Sequence, residues 1–110
     1  MIVVRMIMKV LPEKHKEVMQ TLLSMIESPG KDNRYLSYGI FCDIEDNNVF
    51  NLISEWETRK DLDDHIRSYR FSVLLGTKSL LCEPPQIGIH TVSHSEGMEA
   101  INAVRSKRTQ

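Results

Sequence analysis

Residues 35–56 read YLSYGIFCDIEDNNVFNLISEW: two runs rich in aromatic and aliphatic side chains, Tyr35 to Ile44 and Val49 to Trp56, flank Glu45-Asp46-Asn47-Asn48. Acids and asparagines tolerate turn dihedrals and hydrogen-bond their own backbone, so the stretch predicts a β-hairpin. Upstream, Ile2, Val4, Met6, Met8 and Val10 share one side of an alternating run, which predicts a strand over Ile2 to Val10. Pro12 suits the first turn of a helix, and Val18, Met19, Leu22, Leu23, Met25 and Ile26 recur at helical spacing up to Ser28-Pro29-Gly30. Downstream, Thr58-x-x-Asp61 resembles a capping box and introduces a helix carrying Leu62, His65, Ile66 and Tyr69. A second helical segment runs from Phe71 to Leu81, with Gly76 as its weak point. Glu83-Pro84-Pro85 stops it, and Gln86 to Val92 reads as a last strand.

The order is β-α-β-β-α-β, the ferredoxin-like arrangement of the α+β class, an antiparallel sheet with its helices on one face. Each strand also carries apolar residues on both faces: Ile40 beside Phe41, Ile53 beside Phe50 and Leu52, Ile87 and Ile89 beside Val92. A sheet with one wet face alternates more cleanly. In so short a chain the simplest cover for the second face is the same face of a second copy, so the sequence predicts a homodimer whose two sheets close into a barrel-like pair. The fold domain is expected over 1–92. The remaining 93–110 form an extension in which Met98, Ile101 and Val104 suggest a short helix at the dimer interface.

Composition excludes several classes. The chain has 110 residues, enough for one domain, and 14 Lys+Arg against 15 Asp+Glu give no basic face for nucleic acid. No stretch reaches the roughly 20 apolar residues of a membrane helix, and Arg5 and Lys9 interrupt the apolar start that a signal sequence would need. Two cysteines, Cys42 and Cys82, are too few for a disulfide framework and read as buried thiols of a cytoplasmic protein. There is no phosphate-binding glycine loop, and no serine-nucleophile elbow. His90 and His94, on an extended chain, would stand about 13 Å apart, too far to share a zinc ion. Asp61, Asp63 and Asp64 sit where a helix dipole favours negative charge, which accounts for them.

His65 is the candidate for chemistry, because an imidazole with a pKa near 6.5 can take a proton at neutral pH. The plainer alternative is a half-buried helix histidine bonded to a neighbour. Trp56, the only tryptophan, ends a strand on the face of Leu52 and Ser54 and could wall a pocket for an aromatic ligand.

Glu55-Trp56-Glu57, Leu62, His65, Phe71, Leu74-Leu75 and Pro84-Pro85, in this element order over roughly residues 1–92, resemble the antibiotic biosynthesis monooxygenase family of dimeric α/β barrels. The resemblance implies a homodimer with one pocket per subunit between sheet and helices. It also implies oxygenation of a quinol-like or polyphenolic aromatic molecule by dioxygen, with no metal or flavin cofactor, since a deprotonated substrate can itself reduce dioxygen. His65 would be the base or a polar anchor, and Trp56, Tyr69, Phe41 and Leu52 would wall the ring. The asparagine and tyrosine that accompany the pocket tryptophan of polyketide-oxygenating members are replaced here by Leu52 and Leu62, and the first strand lacks the asparagine of haem-degrading members. Two further functions fit the same residues: a non-catalytic, stress-related dimeric barrel that binds a small molecule, or an isomerase or lyase using His65 for proton transfer.

Overall fold

The computed structural model describes residues 1–27 and 34–107. Strand β1 (Ile2–Lys9) leads through a 3₁₀ turn at Pro12–Lys14 into helix α1 (His15–Glu27). Strands β2 (Tyr35–Cys42) and β3 (Val49–Trp56) form the hairpin, α2 (Arg59–Ile66) and α3 (Tyr69–Gly76) make the second crossover, and β4 (Gln86–Thr91) precedes α4 (Met98–Ser106). The expected end of α1 at Ser28-Pro29-Gly30 lies outside the described residues.

The four strands are antiparallel in the order β2-β3-β1-β4, so the ferredoxin-like α+β fold stands. In the single chain the sheet is open rather than a closed barrel. The hairpin turn begins earlier than Ile44, because the Asp43 carboxylate accepts from the backbone N–H of Glu45 and Asp46 and bends the chain there; Ile44 is left in solvent.

The largest departure from the sequence reading is the break between α2 and α3. Thr58 caps α2 as expected, its hydroxyl accepting from the Asp61 N–H at 3.1 Å. The chain then turns extended at Ser68, whose hydroxyl accepts from the Phe71 N–H and caps a new helix. Tyr69 therefore starts α3 instead of sitting one turn beyond His65, and is 83% exposed.

Alternation places Ile2, Met6, Met8, Phe50, Leu52, Ser54 and Trp56 beneath the helices, all buried. Two apolar clusters result. The larger joins Met6, Met8, Phe50 and Leu52 to Val18 and Leu22 of α1 and Leu74 of α3; the smaller joins Ile2 and Trp56 to Leu62 of α2. The opposite face carries Val3, Ile7, Val49 and Ile53, only half-buried, with Phe41 more exposed.

Both cysteines, expected in the core, are exposed: Cys42 ends edge strand β2, with its sulfur 3.2 Å from the Asn47 carbonyl, and Cys82 follows a bridge residue, Leu81. No helix among the described residues is long and apolar enough to cross a membrane.

Gly76 ends α3 with helical dihedrals, φ −63° and ψ −19°, and a Cβ there would meet only open space. Gly76→Ala is therefore expected to stabilise the fold by about 0.5–1 kcal/mol, by restricting the unfolded chain, measured as a shift in the urea midpoint without a change in slope.

Candidate functional site

The inner face of α2 presents Leu62, His65 and Ile66, while its outer face is laced by Arg59–Asp63 and Lys60–Asp64 pairs at helical i,i+4 spacing. Those pairs occupy Asp63 and Asp64, and Asp61 pairs with Arg34 at 3.8 Å, so the acidic run is engaged on the surface. His65 is thereby aimed at the end of the sheet, where three rings from three elements meet it. Its ring centroid lies 4.7 Å from Trp56 of β3, 5.5 Å from Phe71 of α3 and 6.0 Å from Tyr38 of β2, the last two edge-on. Trp56 is 0% exposed, and its Nε1 donates to the Ser54 hydroxyl at 2.9 Å, so the indole is a fixed backing for the imidazole.

Two small cavities open on either side of the His65–Tyr38 pair. One, of about 30 Å³, is apolar and lies on the seam between the two core clusters, with Leu52, Met6, Phe71 and Leu74 among its walls. The other, of about 20 Å³, is lined by Met25, Ile26, Tyr35 and Arg70 besides the shared pair. Each holds a water or two, well below the ~300 Å³ of a typical ligand pocket. A ring enters only if side chains or α3 give way.

The electrostatics assign opposite roles to the two shared side chains. Burial, and then the Arg70 guanidinium, hold the His65 pKa below its ordinary 6.5, so the imidazole is neutral and can accept a proton at pH 7. Burial, then the neighbouring Tyr35, push Tyr38 up to about 12, with Arg70 opposing, so its hydroxyl stays a donor. No hydrogen bond within the described residues engages the imidazole or the Tyr38 hydroxyl. Arg70 is held across the helix layer by donating to the Met25 carbonyl at 3.3 Å, near the end of α1.

Of the residues expected at the site, His65 and Leu52 line the apolar cavity. Trp56 lines neither cavity; it supports His65 from behind. Tyr69 points to solvent for the reason given by the Ser68 cap. Phe41, 54% exposed, alternates away from the helix face and lines the lip of a separate groove beside α1. Tyr38, Phe71 and Arg70 belong to the site and escaped the sequence reading. Counting back from the expected turn pairs Tyr38 with Glu55, off the Trp56 face; the earlier turn at Asp43 moves the register by one and pairs it with Ser54. His90 lies on the far face of β4, while His94 pairs with Glu96 beyond the strand; among the described residues no group of three or more His, Cys, Asp or Glu could hold a metal ion.

Residues 1–73 match the family model described as antibiotic biosynthesis monooxygenase. A crystal structure of an antibiotic biosynthesis monooxygenase superposes with a TM-score of 0.77 at 21% identity, covering 86% of this chain and 100% of that one. A conserved protein from Methanosarcina mazei Go1 gives 0.74 at 30% identity, over 81% of this chain and 89% of its own. A Mycobacterium tuberculosis protein gives 0.77 at 16% identity, over 87% and 98%. No curated protein sequence matches the chain.

Proposed function

The chain belongs to the antibiotic biosynthesis monooxygenase family, and from that premise we propose that it oxygenates a quinol-like or polyphenolic aromatic molecule with dioxygen. The observation that carries the reading is a neutral His65 beside the Tyr38 hydroxyl, neither hydrogen-bonded to a described residue and both opening on an apolar cavity. His65 takes the proton of a substrate hydroxyl, and Tyr38 donates to the oxygen on which negative charge develops. The electron-rich aryloxide passes one electron to dioxygen, and the radical pair couples to form a C–O bond at a ring carbon. The resulting peroxide takes up a proton, and its O–O bond breaks as that carbon loses its hydrogen. A quinol plus dioxygen thus yields a hydroxyquinone plus water, one oxygen atom in each. Shielding by the apolar walls keeps the intermediates from bulk water.

Entry of the ring requires an opening motion of the cavity walls. The uncovered apolar side of the sheet supports pairing with a second copy, as a homodimer. Exposed free thiols fit a reducing compartment, the cytoplasm.

The test is turnover of a hydroquinone, catechol and anthrone panel under ¹⁸O₂, corrected for autoxidation. One labelled atom in the product and one in water, with Tyr38→Phe slower and its fold intact, is the expected result. Turnover without oxygen consumption would replace this reading with an isomerase or lyase, and saturable binding without turnover would replace it with a binding module.

A further inference from the structure

Besides the open face of the sheet, two apolar surfaces have no partner among the described residues. α4 buries none of its residues, and Met98, Ile101 and Val104 form an exposed stripe along it. The chain is accordingly 56 Å long with a radius of gyration of 17.0 Å, against ~13 Å for a compact domain of this size. On the body, a groove of about 210 Å³ runs between α1 and the free edge of β2, lined by Met19, Leu23, Ile26, Ile40, Phe41 and Cys42. Met19, Leu23 and Ile26 are exposed at helical spacing, outside the stripe that α1 gives to the core.

Length and charge match the two. At about 1.5 Å per residue, Met98 to Val104 spans roughly 9 Å, and Met19 to Ile26 roughly 10 Å. The groove's Cys42 end lies at the hairpin turn, tied to the start of α1 by the His15–Asn48 hydrogen bond, and there Asp43, Glu45 and Asp46 stand exposed. None of the three forms an ion pair with a described residue. At its other end Ile26 shares a cavity with Tyr35, whose chain neighbour Arg34 is exposed and ion-paired to Asp61 at 3.8 Å. α4 carries the complementary ends, Glu96 and Glu99 at its start and Arg105 and Lys107 at its finish. An α4 antiparallel to α1 therefore sets its basic end against the acidic turn, and its acidic start toward the end where Arg34 pairs with Asp61.

We propose that α4 docks in the α1–β2 groove of a second copy of this chain. β4, from which the tail leaves, and β2, beside which the groove lies, are opposite edges of the sheet, so the tail departs on the far side from its own groove. Reciprocal exchange fills two grooves with two helices without using the sheet face.

The full chain carrying Ile101→Cys and Cys82→Ser is treated with a short bis-maleimide, which can then join the new thiol to native Cys42. The expected product is a covalent dimer of about twice 12.7 kDa. Cys42→Ser should abolish it, and Arg105→Glu should lower its yield severalfold. Moving the new thiol to the opposite side of α4 with Ala103→Cys should lower the yield by a similar factor. A cross-linked monomer would show that α4 folds onto its own body. No Cys42-dependent product, or equal yields from Ile101→Cys and Ala103→Cys, would show that the groove does not receive this helix; each of these results overturns the proposal.

Discussion

Trp56→Ala is expected to cost about 3–5 kcal/mol of folding stability, the range for deleting a fully buried aromatic side chain. The ring is 0% exposed, packs with Ile2 and Leu62, and stands at the centre of the smaller core cluster. A domain of this size has roughly 5–15 kcal/mol in total, so the melting temperature should fall by well over 10 °C. Were Trp56 a pocket wall, as its place at a strand end suggests, truncation would mainly enlarge the pocket and cost little. Urea unfolding of Trp56→Ala and of Ser54→Ala separates the two cases. Ser54→Ala leaves the indole N–H buried without its acceptor and should cost about 1–3 kcal/mol, whereas a wall residue would not need that bond. A loss below 1 kcal/mol for Trp56→Ala would contradict the buried role.

The same tryptophan shows what a one-dimensional pattern can and cannot convey. Alternation and helical spacing report which side chains share a face, and on that basis the element order, the hairpin and the face shared by Trp56, Ser54 and Leu52 were all legible. They do not report depth. Whether Trp56 bounds a cavity or lies behind the residue that does depends on α2 crossing over it, which is set by packing of Leu62. Tyr69 failed for a local reason: a serine can either continue a helix or cap the next, and only the carbonyl and amide around Ser68 decide. Phe41 and Tyr35 turn on parity. A register shift between Tyr35 and Ser37 lets Tyr35 and Tyr38, three apart, both line the cavity beside His65, whereas a regular strand would send them to opposite sides. The bulge stops there: from Ser37 to Cys42 the pairing is regular, so Ile40 and Phe41 lie on opposite faces.

His65→Gln is expected to lower oxygen-consuming turnover by about 10²–10⁴-fold, the usual contribution of a positioned base, while the protein remains folded. The pH dependence distinguishes a base from a passive wall. Burial and Arg70 depress the pKa, so the acidic limb of kcat/KM should lie below pH 6.5, with activity falling as His65 gains its proton. Among the described residues the charged and titratable groups around the imidazole are Arg70 from α3 and Tyr35 and Tyr38 from β2, and Tyr38 stays neutral throughout this range. Arg70→Gln removes the repulsion and should move the limb to higher pH; a limb that stays put or moves down would exclude that cause. Linkage gives the matching stability effect. The folded state binds this proton less tightly than the unfolded one, so the unfolded chain holds more protons between the folded value and 6.5. The contribution is fully present above pH 6.5 and is lost as pH falls through the folded value. His65→Gln should abolish that portion of the acid-side decline in urea stability together with the kinetic limb, whereas a histidine serving only as packing would give up the first without the second.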